Sequence, residues 1–296
     1  MGLFDRLRGL FGGSDETAST GDESVGPAAG YDDADVTPEE MSDPEGRGRS
    51  GVNVAREGAK SGSHGSHWDT VVEGDDAIME AIMGAVESGT ATEGRQVDDE
   101  TVVGYRGSAG ALSTVTIASE AGEIWSGYPA AEGITHEVTV SELIPWANGA
   151  EAQLSGTLGD ATVSFFATNF WEHEADYFGG DCEVELAALA YDLNPAETET
   201  LTDDEGNEFS TEGMAGFVPF EGGDVDDYIF QTTVETVTEV DFGGQPMYRM
   251  RVPLFRGDDG TEYQVMLYAA KRLCGDFEPG KGDDVEGVFW LQGRVH

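Results

Sequence analysis

The sequence predicts a mainly β protein: two tandem Greek-key barrel modules preceded by one helix, behind a disordered acidic N-terminal tail. Three observations carry that prediction. From Glu100 onward, apolar residues recur at period two in short runs, with turn signals at intervals of about 10 residues. Two stretches offset by about 100 residues repeat the same order of parts. Before Gly74, large apolar residues are scarce beyond the first dozen positions.

The chain opens on MGLFDRLRGLFGG. On a helical wheel Leu3, Phe4, Leu7, Leu10 and Phe11 fall within about 120° of one another, with Asp5, Arg6 and Arg8 opposite. Residues 1–12 therefore read as a short amphipathic helix. Charge interrupts the apolar run, which excludes a secretory signal, and the stretch is too short to span a bilayer. Three places suit such a stripe: a membrane interface, a groove on a partner protein, or the protein's own body.

Residues 13–74 turn to Gly, Ser, Asp, Glu and Pro and read as a disordered acidic linker. Within it SHGSHW sets His64 and His67 at H-x-x-H spacing. No carboxylate or thiol accompanies them in that Gly/Ser tract, so the pair reads as chance rather than as a metal site.

A first module is expected over 75–195. GDDAIMEAIMGAVESG sets Ile78, Met79, Ile82, Met83 and Val86 on one helical stripe, with Asp75 and Asp76 at its start and Gly89 past its end. The stripe is expected to pack into the core. The runs TVVGYRG, ALSTVTIAS, EIWSGYP and ITHEVTVSEL alternate as strands do, and a hairpin is expected at Gly159-Asp160. A second module, 196–296, begins with DDYIFQTTVETVTEVDFGG and turns again at Asp258–Thr261.

The repeat explains an oddity: so acidic a chain ends on the apolar run Val285–Leu291. In each module a hairpin leads to an apolar strand, Val163–Phe166 or Val265–Tyr268, then to an acidic Gly-containing corner. A second apolar strand follows, Glu183–Ala190 or Val285–Leu291. That order fits a chain bending at a corner so that its last strand closes a small barrel. Trp290 is then core or rim; the competing reading makes Trp171, His173, Phe289 and Trp290 a ligand surface.

Charge bounds the habitat and the partners. The formal net charge is −44, from 59 acidic and 15 basic residues, and only Lys60, Lys271 and Lys281 are lysines. No Lys or Arg occurs from Gly107 through Tyr248. In dilute buffer such a surface repels itself, whereas molar salt shortens the screening length to about 3 Å. Acid surplus with lysine depletion in a foldable region resembles the cytoplasmic proteins of salt-in haloarchaea. A span without cations cannot neutralise phosphates, which disfavours nucleic acid as a partner.

The run ATVSFFATNFWEHEADYFGGDCEVELAALAY, followed by GDDVEGVFWLQGRV, resembles a family of uncharacterised bacterial and archaeal proteins carrying similar blocks. The likeness covers about Ala147 to the end. It implies a β-rich fold of OB-like character and carries no activity or site residue.

WEHEADYF gathers Glu172, His173, Glu174 and Asp176, but carboxylates are so common here that some must flank any histidine. TDDEGNEF lacks the alternation of a calcium loop and reads as a turn. Cys182 and Cys274, at unrelated spacing, read as buried reduced thiols, which suits a cytoplasm. There is no phosphate loop with Lys, no nucleophile elbow and no H-E-x-x-H.

The sequence thus points to a non-catalytic binding or adaptor protein without cofactor or metal. Its N-terminal helix would meet a membrane surface, at the inner face of the cell membrane, or a partner protein, while its β-body holds an unknown protein. The alternative is an OB-type binder of nucleic acid or a small ligand.

Overall fold

The computed structural model describes residues 52–54, 64–107, 110–178, 180–198, 200–202 and 208–295. The chain enters through β1 (Asn53–Val54), then the single turn α1 (Gly65–Trp68) and the helix α2 (Asp75–Ser88). A four-stranded antiparallel meander follows: β2 (Thr90–Val97), β3 (Glu100–Arg106), β4 (Leu112–Ser119) and β5 (Ile124–Ala131). Next come β6 (Ile134–Pro145), β7 (Ala152–Leu158), β8 (Ala161–Ala167), the helix α3 (Phe170–Tyr177) and β9 (Asp181–Pro195). The short pair β10 (Thr200–Thr202) and β11 (Glu208–Ser210) precedes β12 (Gly216–Pro219) and β13 (Asp227–Thr233). The chain ends through β14 (Thr236–Phe242), β15 (Gln245–Arg256), β16 (Glu262–Ala270) and β17 (Asp284–Val295).

The protein is mainly β, with a closed five-stranded barrel and a second sheet. The barrel runs β6-β7-β8-β17-β9 and back to β6. All its pairings are antiparallel except β8 with β17, where Phe166 and Ala167 face Gln292 and Gly293 in parallel. The apolar C-terminal run is therefore a barrel-closing strand. Both expected hairpins form, at 159–160 between β7 and β8 and at 257–261 between β15 and β16.

Strands β9 and β17 do more than close the barrel. One edge of β9 pairs with β17 from Val184 to Pro195. Its other edge pairs with β6 up to Leu186 and then with β16 from Ala187 to Leu189. Likewise β17 faces β13 from Asp284 to Trp290 and β8 from Gln292. A strand so enclosed must be apolar on both faces, which is why these two read as continuous runs rather than alternations. Leu186, Ala188 and Ala190 enter one core, inside the barrel; Ala187 and Leu189 enter a second. Trp290 belongs to that second core, with Trp68, Trp146, Phe166 and Trp171 and side chains of the four-stranded meander.

Three expectations need correction. The boundary at 195/196 is not a seam, because the barrel takes four strands from before it and its fifth from the end of the chain. The described residues belong to one compact unit, held together by the shared β9–β17 ladder. The linker expected over 13–74 contains ordered parts of the body. β1 pairs in parallel with β6 (Asn53 with Glu142, Val54 with Leu143), and Trp68, Val71 and Val72 are buried. The α2 stripe divides: Ile78 and Ile82 pack on the second core, while Met79 and Met83 face outward, 56% and 39% exposed. The amphipathic segment 1–12 and most of 13–74 lie outside the described residues. Among the described residues no helix is long and apolar enough to cross a membrane.

Candidate functional site

The most concentrated chemistry lies where the entering segment meets the second core. Spacing i, i+3 on one helical turn brings two side chains to one face, so α1 sets His64 and His67 side by side. Both are buried, 2% and 3% exposed. Their Nδ1 atoms lie 2.7 Å apart. A contact of that length needs one ring to donate and the other to accept.

His64 Nε2 lies 2.7 Å from Glu151 Oε1. Glu151, itself 1% exposed, also accepts from Ser126 Oγ at 2.8 Å and from Asn148 Nδ2. A buried carboxylate is tolerable only when its lone pairs are met by donors. The short loop 146–151 supplies one of them and turns Glu151 inward. Tryptophan rings complete the enclosure: His64 stacks on Trp146 at 4.5 Å and His67 on Trp290 at 3.9 Å.

The array continues through Trp290. Its indole Nε1 donates to Asp226 Oδ2 at 3.0 Å, and Gln153 Nε2 donates to the other carboxylate oxygen at 2.7 Å. The next residue, Asp227, accepts from the Tyr191 hydroxyl at 2.9 Å and from the Asp224 N–H at 2.8 Å. Burial, and then the neighbouring Asp227 carboxylate, hold the Tyr191 hydroxyl well above the usual tyrosine range. It is a hydrogen-bond donor there, not a base.

Beside Tyr191 the surface opens into a cleft of about 370 Å³, lined by Ser66, Tyr191, Asp192, Phe220, Asp224 and Asp227. The cleft can offer a hydroxyl, an aromatic face and carboxylates, which suits a polar or cationic group. The histidines sit behind it, with the Tyr191 ring centroid 6.5 Å from that of His67. Among the described residues no group of three or more His, Cys, Asp or Glu side chains is placed to hold a metal ion.

The competing reading of Trp171, His173, Phe289 and Trp290 as a ligand surface does not hold for the three aromatics, whereas Trp290 lies in a core, as the barrel-strand reading has it. Trp171, Phe289 and Trp290 are 1%, 2% and 0% exposed. Trp171 lies so close under the meander that a Cβ on Gly104 would come within 2.3 Å of its ring. His173 is the exception: partly exposed on α3, it bonds Asp176 Oδ2 through Nδ1 at 2.9 Å, with Glu172 at 3.8 Å from Nε2. Cys182 and Cys274 are both free and buried, as expected. Leu3, Phe4, Leu7, Leu10 and Phe11 lie outside the described residues.

His64 and His67 are the functional-type residues that sequence reasoning set aside. The available signal was the run HWDTVV that follows, whose Trp68, Val71 and Val72 mark a buried turn inside a polar tract. No family model, no curated protein and no solved structure matches the chain.

Proposed function

We propose that this is a non-catalytic binding or adaptor protein of a salt-rich, haloarchaeal-type cytoplasm. Its N-terminal amphipathic stripe (Leu3, Phe4, Leu7, Leu10 and Phe11) engages a membrane surface at the inner face of the cell membrane, or a partner protein. Its β-body holds a second partner.

One observation carries the reading: residues 64–72 are built into the second core. Trp68 Nε1 donates to Gly127 O at 3.0 Å, and Arg272 Nη2 donates to Val72 O at 2.8 Å. The described segment 64–72, on the N-terminal side of the barrel strands, is therefore part of the β-body, which suits a body that holds one partner while the stripe engages another. The chemistry in the second core also supports binding over turnover. His64, His67, Glu151 and Asp226 are buried and committed to hydrogen bonds with one another and their neighbours.

The placement of cations argues against nucleic acid. Arg95, Arg249, Arg251, Arg256, Lys271 and Arg294 each form an ion pair with a glutamate of the same chain. Phosphate contacts would have to break those pairs.

The test is affinity capture of the full chain and of Leu7→Asp in molar KCl, followed by lipid and protein identification. A charge placed in the centre of the stripe should lower recovery of the bound lipid or defined protein by about tenfold. Equal recovery by both chains would remove the N-terminal stripe from the proposal.

A further inference from the structure

The span without cations, Gly107 through Tyr248, is flanked by Arg106 and Arg249. The fold brings the first of these, Arg106, together with Arg294 from β17. Arg106, at the end of β3, and Arg294 both line a cavity of about 190 Å³, with Gly107, Ala111, Ser113 and Glu132 on its other walls. Arg249, on β15, is not among the lining residues but lies beside one of them, its Nη2 3.7 Å from Glu132 Oε2.

The charges there do not balance. Arg294 Nε donates to Glu185 Oε2 at 2.6 Å, and Glu185 Oε1 accepts from the Gly133 N–H at 2.6 Å. Arg249 is offset by Glu132. Arg106 forms no ion pair among the described residues, and its Nη1 is buried with no hydrogen-bond partner there. Arg249 Nε is likewise buried and unpartnered among the described residues. Three guanidinium groups thus meet two carboxylates. A part-buried guanidinium without a carboxylate partner is destabilising unless something supplies the missing negative charge. In a chain of net charge −44 a local surplus of positive charge is also unusual.

We propose that this cavity is a binding site for a small oxyanion, inorganic phosphate or a short carboxylate, with Arg106 as its main donor and Arg294 as flanking charge. Guanidinium groups suit this role because their planar N–H pairs match two oxygens of one anion. Ser113 also lines the cavity, its hydroxyl donating to Ala130 O at 3.5 Å. The volume admits a single phosphate or acetate, not a nucleotide. The site is separate from the Tyr191 cleft and does not depend on the adaptor reading.

Thermal unfolding of the full chain tests it, in molar KCl at constant ionic strength, with phosphate or acetate replacing part of the chloride. An anion that binds only the folded state raises the midpoint by mass action. At least one of the two should raise it saturably, and which one does so identifies the oxyanion class. Arg106→Gln should weaken the apparent affinity by tenfold or more while keeping the wild-type circular dichroism. Arg251→Gln, on the exposed side of β15, should leave the response intact. If Arg106→Gln does not fold, Arg294→Lys keeps the charge but removes the planar fork, and should weaken binding. A wild type indifferent to both anions overturns the proposal. So does a folded Arg106→Gln, or in its place Arg294→Lys, that responds as the wild type does.

Discussion

Strand β17 and the segment 64–72 cover the same second core, but they are made of opposite material. β17 contributes Trp290 from an apolar run. The segment contributes Trp68, Val71 and Val72 interleaved with the buried polar residues His64, His67 and Thr70. The difference is instructive because apolar burial is non-directional and is satisfied by any close-packed neighbour. Polar burial stabilises only if particular partners arrive, and here the partner of His64 is Glu151, 87 positions away.

Substitutions in the two elements separate these modes of burial. The largest effect is expected at Trp290→Ala, which empties a fully buried site and removes the indole donor to Asp226. A cost of about 3–5 kcal/mol is expected for such truncations. Denaturant unfolding in molar KCl measures it, and a loss below about 1 kcal/mol would mean that β17 does not hold the second core.

Glu151→Ala comes next. It strips the acceptor from His64, Ser126 and Asn148 together, for an expected cost of about 2–3 kcal/mol. Combining it with His64→Leu sharpens the point, since removing both partners leaves fewer orphaned groups. The double variant should lose less than the sum of the singles; strict additivity would show that the two groups do not stabilise one another.

A smaller effect is pH-dependent. Burial pushes the Cys274 thiol from its ordinary 9.0 up to about 11, a rise partly offset by Lys271. A raised folded-state pKa means that the unfolded chain releases its proton first. The contribution is therefore complete below pH 9 and is lost as pH rises from there through about 11. Unfolding curves at pH 8 and pH 10 should show a smaller decline for Cys274→Val than for the wild type. The buried tyrosines begin to add their own loss as pH nears 10, but equally in both proteins, so an unchanged decline would discount the thiol.

Arg256→Gln is the smallest. Its pair with Glu262, 2.8 Å long, is solvent-exposed on both sides and should contribute no more than about 0.5 kcal/mol. A larger loss in the same unfolding assay would show that surface pairing matters more here than screening in brine allows.

What was legible follows the same division. The hairpins at 159–160 and 258–261, the helix after Asp75 and the apolar closing strand all follow from local pattern. The repeat was legible too, but its meaning was not. Two similar successions of strands suggest two bodies, whereas β9 and β17 pair with each other along their length. Period and composition fix what one strand needs on each face, not which distant strand supplies it. The same limit applied to Trp171, Phe289 and Trp290: an aromatic residue near a corner suits a ligand surface or a core equally well until the neighbouring sheet is in place.

By itself the amino-acid order determined the β class, the turns, the acid-rich surface and the need to bury the last strand. Each of these depends on residues close in the chain or on totals over all of it. Tertiary structure alone decided that the barrel takes its fifth strand from Asp284–Val295, and that the H-x-x-H pair is sealed between Trp146 and Trp290. It alone decided that Arg106 and Arg294 line one cavity, with Arg249 beside its Glu132 wall. Those outcomes rest on directional pairings between residues far apart in sequence, and such pairings leave no local trace.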